Sequence, residues 1–274
     1  MMSAIWHTGH EKAASISNRH FTQALAERHL MMSSPSDTTV DAPSTPSRNS
    51  PVWLTPSLLV LGLVAGLVTE PVFQANKERF FTATGLPPIP PALMWKVFWD
   101  NVYNHSICFG FLGMVVCGFM SMAVGLAIHS NRAVYGMIVG SLVGLLAGPA
   151  LGMFGWYISE RLLANNFEID SVIKVLLIFF PFWFGLSLAA CFAALLVRRK
   201  LSHFLRAVLP SMIFTIIAVF LYVSIITIVF PSDWPGRIIP EHAHTRIVLN
   251  ITGCLGVAAA VLATIRACGD HRLV

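Results

Sequence analysis

Long apolar runs alternate with short polar segments from residue 53 to residue 265. Five of the six runs lie near or above the roughly 20 residues that an α-helix needs to cross about 30 Å of hydrocarbon, and the first run is shorter. Each run is therefore predicted to form one membrane-spanning helix. The predicted spans are residues 53–68, 106–128, 133–158, 172–197, 204–230 and 247–265.

This pattern predicts an all-α integral membrane fold, a six-span helical bundle. Pro71 directly follows Glu70 and is predicted to close the first span, because proline cannot donate the backbone hydrogen bond that continues a helix. The connections His129–Arg132 and Leu201–His203 are too short to carry the chain back across a bilayer. The spans that they join are therefore predicted to be antiparallel neighbours.

The chain outside the spans is polar. Between Ser33 and Pro51, thirteen of nineteen residues are Ser, Thr or Pro, a composition that cannot bury a core. Residues 1–51 are therefore predicted to form a polar, largely disordered N-terminal tail. Residues 52–267 are predicted to be the transmembrane domain, and residues 268–274 a short C-terminal tail.

The composition agrees with a membrane environment. Hydrophobic residues make up 55% of the chain and charged residues only 11%, whereas a soluble domain carries about 25% charged residues. There is too little polar side chain to cover a folded surface in water, which argues against a soluble enzyme, a disordered protein and a nucleic-acid-binding module. The predicted partner is the lipid bilayer of an inner or plasma membrane.

The basic residues predict the orientation. If the N-terminus is cytoplasmic, eleven Lys and Arg residues lie on the cytoplasmic side and seven on the other. Charges next to the ends of spans count most, and Arg198, Arg199 and Lys200 lie together at a tight turn between two spans. Both termini are therefore predicted to be cytoplasmic.

The third span carries the most regular motif of the chain, a glycine at every fourth position. Glycines at this spacing form one slightly inclined stripe along a helix, where a second helix can approach closely. The pattern favours a helix-packing contact, within the chain, in a homo-oligomer or with another membrane protein; a helix that lines a pathway for a solute is the alternative. The stripe consists of Gly136, Gly140, Gly144, Gly148 and Gly152.

Two prolines lie at similar depth in neighbouring spans. Pro149 in span three and Pro181 in span four each remove one backbone hydrogen bond and are predicted to kink their helices. Matched kinks can open a site in a transporter. They supply the second reason to consider a channel or facilitator for a small neutral solute, built around spans three and four.

Aromatic residues precede the second span. Trp95, Phe98, Trp99 and Val102 recur at helical spacing after two Pro-Pro pairs. The pattern favours a short helix that lies in the membrane interface, with the aromatic residues as its anchor. A binding surface for a carbohydrate or for a partner is the alternative.

Candidate chemistry is sparse. Glu241, His242 and His244 precede span six on the side where His105 precedes span two, but H-x-H alone is a weak metal motif. A membrane-surface metalloenzyme would use Glu160, Asp170, Glu241 and His242. The chain has no CxxC, Walker A, Rossmann glycine, H-E-x-x-H or G-x-S-x-G motif, so neither a metal nor another cofactor is predicted. The preferred function is a non-enzymatic structural, assembly or regulatory role, and the catalytic residues of an enzyme would be unknown.

Overall fold

Long helices make up most of the described backbone. The computed structural model describes residues 53–76, 79, 90–164, 171–231 and 239–268, and these contain helices and turns but no strand. The elements are α1 (Leu54–Asn76), α2 (Pro91–Ile128), α3 (Ser130–Ala164), α4 (Ser171–Val197), a 3₁₀ helix (Leu201–Ala207), α5 (Val208–Val229) and α6 (Ala243–Ala267).

Six helical segments are long and apolar enough to cross a membrane. They are α1, α2, α3, α4, the 3₁₀ helix continued by α5, and α6. The prediction of six long apolar helices in this order is therefore confirmed. The predicted N-terminal tail lies outside the described residues.

Pro71 does not end the first helix, contrary to the prediction. Helix α1 continues through Pro71 to Asn76. Pro71 removes a single backbone hydrogen bond of the helix. The helical turns before and after Pro71 are joined to α6, because Glu70 and Gln74 both accept hydrogen bonds from Arg246. The tertiary contact thus sustains the helix past its proline.

The short helix predicted before span two is not a helix of its own. The aromatic stripe belongs to α2 itself, which begins at Pro91 and runs without a break to Ile128. Polar residues in and after the stripe bond to their own helix: the Asn101 side chain donates to the Val97 carbonyl, and a His105 ring nitrogen lies 2.7 Å from the Asn101 carbonyl. At 38 residues, α2 is about 57 Å long, which exceeds a hydrocarbon layer of about 30 Å.

The turn after α4 has an unusual residue at its centre. Arg199 has a φ of 56°, and among the described residues no other non-glycine residue has a positive φ. The backbone N–H of Lys200 donates to Leu195 and that of Arg199 to Leu196, which is the hydrogen-bond pattern of a Schellman motif. Glycine usually occupies this position, because a side chain there costs about 1 kcal/mol.

The helices pack as an antiparallel bundle around α4. Helix α4 contacts α2, α3, α5 and α6, while α2 pairs with α3 and α1 packs between α2 and α6. Large side chains fill the centre, among them Trp183 and Phe182 of α4 and Phe109 of α2. The first and last spans therefore close the bundle against each other.

Candidate functional site: two close helix contacts and a buried arginine

The glycine stripe of α3 faces α2 of the same chain. A Cβ added at any of its five positions would overlap an atom of α2, so a side chain fits at none of them. Because the overlapping atoms are mostly backbone carbonyls, α2 could not yield by turning a side chain. The atoms met are the carbonyl oxygens of Ser121 (from Gly136), Cys117 (from Gly140), Gly113 (from Gly144) and Phe109 (from Gly148), and the Phe109 ring (from Gly152).

The two helices match each other step for step. From Gly136 to Gly148, each glycine of α3 contacts an α2 residue that lies four positions before the one contacted by the preceding glycine. The α2 positions are themselves mostly small, as at Gly113, Cys117 and Ser121, and the series ends where Gly125 meets the Arg132 carbonyl. This second series is visible in the sequence at the same spacing as the stripe, but the sequence analysis did not use it.

The two prolines lie inside unbroken helices. Pro149 belongs to α3 and Pro181 to α4. The Pro149 ring packs toward α2, since a Cβ at Gly110 would lie 3.2 Å from its Cγ. On the other side of α3, Leu151 fills the space beside Gly185 of α4, where an added Cβ would lie 2.9 Å from Leu151 Cδ1.

A further close contact joins the first and last spans, and the sequence analysis missed it. A Cβ at Gly66 of α1 would lie 2.9 Å from the Cα of Ile251, and one at Gly62 would lie 3.1 Å from the Cys254 carbonyl oxygen. Gly62 and Gly66 form a G-x-x-x-G motif, the spacing that permits such an approach between membrane helices. That motif was the signal that could have found this contact.

Next to this contact lies a buried arginine. Arg246 in the first turn of α6 is 1% exposed, and its guanidinium approaches the Glu70 carboxylate of α1 at 2.7 Å. The Glu70 side chain is 13% exposed. Asn250, one turn further along α6, donates to the Thr69 hydroxyl at 3.4 Å, and Thr69 in turn donates to the Gly66 carbonyl. The polar contacts therefore continue the α1–α6 glycine contact toward one end of the bundle.

The hydrogen bonds of Arg246 use its whole donor capacity. A guanidinium carries five N–H groups. Nε donates to Glu70, Nη1 to the carbonyls of Pro240 and Glu241, and Nη2 to Glu70 Oε1 and Gln74 Oε1. No donor remains for a ligand. These hydrogen bonds join the end of α1 to α6 and to the segment that precedes α6.

The pairing of Arg246 with Glu70 was not predicted from the sequence. Two features could have paired them: opposite charge, and positions at the ends of spans one and six on the same predicted side. A charge so close to an apolar run needs a partner when it is buried. These features alone do not show that the two side chains meet, because 176 residues separate them in the sequence.

The residues considered for metal binding do not converge. Among the described residues, no group of three His, Cys, Asp or Glu side chains lies close enough to hold a metal ion. The rings of His242 and His244 stack on each other with centroids 5.4 Å apart, and His105 packs against Phe109 and Trp156 of the bundle. Asp170 lies outside the described residues.

The fold and these contacts define the class of protein: an all-helical chain whose six long apolar helices suggest a multi-pass membrane protein. The chain has no significant match to a known protein family, to a curated protein or to a solved structure. Its function is therefore argued from the helix contacts and the buried polar residues alone.

Proposed function

We propose that the protein has a non-enzymatic structural, assembly or regulatory role in an inner or plasma membrane. The observation that carries this proposal is the complete use of the Arg246 donors by groups of the same chain. A binding or catalytic arginine presents donors to its ligand. Arg246 presents none, so its place in the fold is to hold helices together.

The closed α2–α3 contact supports the same proposal. A solute pathway along the glycine stripe would need open space beside these residues, and the backbone of α2 occupies it. The packing of Leu151 on Gly185 likewise fills space between spans three and four. The alternative of a channel or facilitator for a small neutral solute would require α2 and α3 to separate. A partner chain on the stripe, whether a second copy or another membrane protein, would require the same separation.

Solute flux distinguishes the two functions. Liposomes that contain the purified full chain are expected to take up water, glycerol and urea no faster than empty liposomes, because both glycine contacts are closed. Stopped-flow light scattering measures this swelling directly. Faster uptake of any of these solutes, abolished by heat denaturation of the protein, would favour the channel alternative over the structural role.

The cytoplasmic location of both termini stays part of the proposal. It is supported by Arg198, Arg199 and Lys200 at the turn after α4. Reporter fusions at Asn165, between α3 and α4, and at Val274 are expected to lie on opposite sides, with the fusion at Val274 in the cytoplasm. If both reporters gave the same signal, the six segments would not all cross the membrane.

A further inference from the structure

The charges of the described residues are divided unequally between the two ends of the bundle. All four carboxylates, those of Glu70, Asp100, Glu160 and Glu241, lie at the end where α1 and α3 finish, together with five basic residues. The opposite end has six basic residues and no described carboxylate. These six define what we call the basic end: Arg132, Arg198, Arg199, Lys200, Arg206 and Arg266.

The 3₁₀ helix, which we call the platform, is fixed at the basic end by packing on one face and by a hydrogen bond to α6. Residues three apart share a face in a 3₁₀ helix. Phe204 packs edge-on against Phe192 of α4, with ring centroids 5.7 Å apart, and Ala207 on the same face is fully buried. Arg206 fastens the platform to α6, since its Nη1 donates to the Ala267 carbonyl at 3.1 Å.

The exposed residues of the turn and of the platform combine apolar and basic groups. Leu205 is 81% exposed and Leu201 is also exposed, while Arg199 and Arg206 are exposed beside them. A soluble anion would use the guanidinium groups and leave the leucines in water. An anionic phospholipid would use both, because its phosphate meets the arginines and its acyl chains meet the leucines.

The conformation of Arg199 is a second, independent observation. Glycine would adopt its positive φ without strain, yet the chain places an exposed arginine there. Strain of this kind, at a position that packs against nothing in the core, points to a function for the side chain. Arg199 lies in the turn between the end of α4 and the 3₁₀ helix.

We propose that the basic end binds anionic phospholipid headgroups at the α4–3₁₀ turn, with Arg199 and Arg206 as the phosphate contacts and Leu201 and Leu205 as the acyl-chain contacts. This goes beyond the proposed structural role and does not depend on it. Unlike a general preference for basic residues on one side of a membrane, this binding is specific for one class of lipid and takes place at one turn.

The test is native mass spectrometry of the purified full chain, titrated in detergent with phosphatidylglycerol or with phosphatidylcholine of the same acyl chains. The parent is expected to retain phosphatidylglycerol in preference. Arg199→Gly is expected to lower that retention about fivefold, the usual effect of one basic residue near an anionic surface. Its thermal stability without added lipid should equal or exceed that of the parent, because the change relieves the positive φ.

Two further variants complete the design. Leu205→Ser is expected to lower retention as well, whereas Arg161→Gln, at an exposed arginine of the other end, is expected to leave it unchanged. Equal retention of the two lipids, or equal losses in Arg199→Gly and Arg161→Gln, would overturn the proposal. Competition by inorganic phosphate, with no effect of Leu205→Ser, would overturn it too and indicate a site for a soluble anion.

Discussion

Replacing Glu70 by leucine is expected to destabilise the bundle by about 3–5 kcal/mol, because it leaves the guanidinium of Arg246 buried without its counterion. Arg246 is 1% exposed, so little water can take the place of the lost carboxylate while the bundle keeps its structure. Thermal or denaturant unfolding in detergent micelles measures the loss.

The matched control is Glu160→Leu. Glu160 is an exposed carboxylate of α3, and its replacement is expected to change the stability by no more than about 0.5 kcal/mol. The double variant Glu70→Leu, Arg246→Met is expected to be more stable than Glu70→Leu alone, since an apolar pair leaves no unpaired charge. Additive losses in the double variant would show that the two side chains do not act as a pair.

Replacing Gly144 by leucine is expected to cost 3 kcal/mol or more, above the usual range of about 1–3 kcal/mol for added bulk in a packed core. The side chain would overlap the Gly113 carbonyl, which belongs to the backbone of α2 and cannot rotate away. Even Gly144→Ala is expected to destabilise, although alanine favours a helix over glycine by about 1 kcal/mol. Thermal unfolding of the two variants shows whether packing outweighs helix propensity.

The control introduces the same side chain on an exposed face of the helix. Ala150 of α3 is exposed, so Ala150→Leu is expected to fold as well as the parent. A Gly144→Ala variant that unfolds at a higher temperature than the parent would contradict the close approach of α2. A Gly144→Leu variant that folds normally but changes solute flux would favour a pathway along the stripe.

Part of the α1–α6 contact was within reach of the sequence and part was not. The G-x-x-x-G motif at Gly62 and Gly66 is local, and it predicts that some helix approaches α1 closely. Which helix approaches depends on how the bundle closes. The structure brings α6 there, and its backbone at Ile251 meets Gly66.

The errors at the ends of spans have a common cause. The first span was predicted to end at Pro71 because proline weakens a helix locally, and the second was predicted to begin at Ser106, after the polar residues that include Asn101. In the fold, Glu70 and Gln74 are held by Arg246 across the proline, and Asn101 bonds back to Val97. A tertiary contact therefore outweighs the local effect of Pro71. A hydrogen bond to a carbonyl of the same helix accommodates the polar side chain of Asn101.

By itself the sequence determined the helical class, the six long apolar helices, their order and the periodic glycines, because each of these depends on the polarity of consecutive residues and on the fixed geometry of a helix. Only the tertiary structure decided which backbone covers the glycine stripe, and that Arg246 meets Glu70 across 176 residues of chain. The physical reason is that burial and pairing depend on which helices become neighbours. Neighbours are chosen by the packing of the whole bundle, and no local window of residues contains that information.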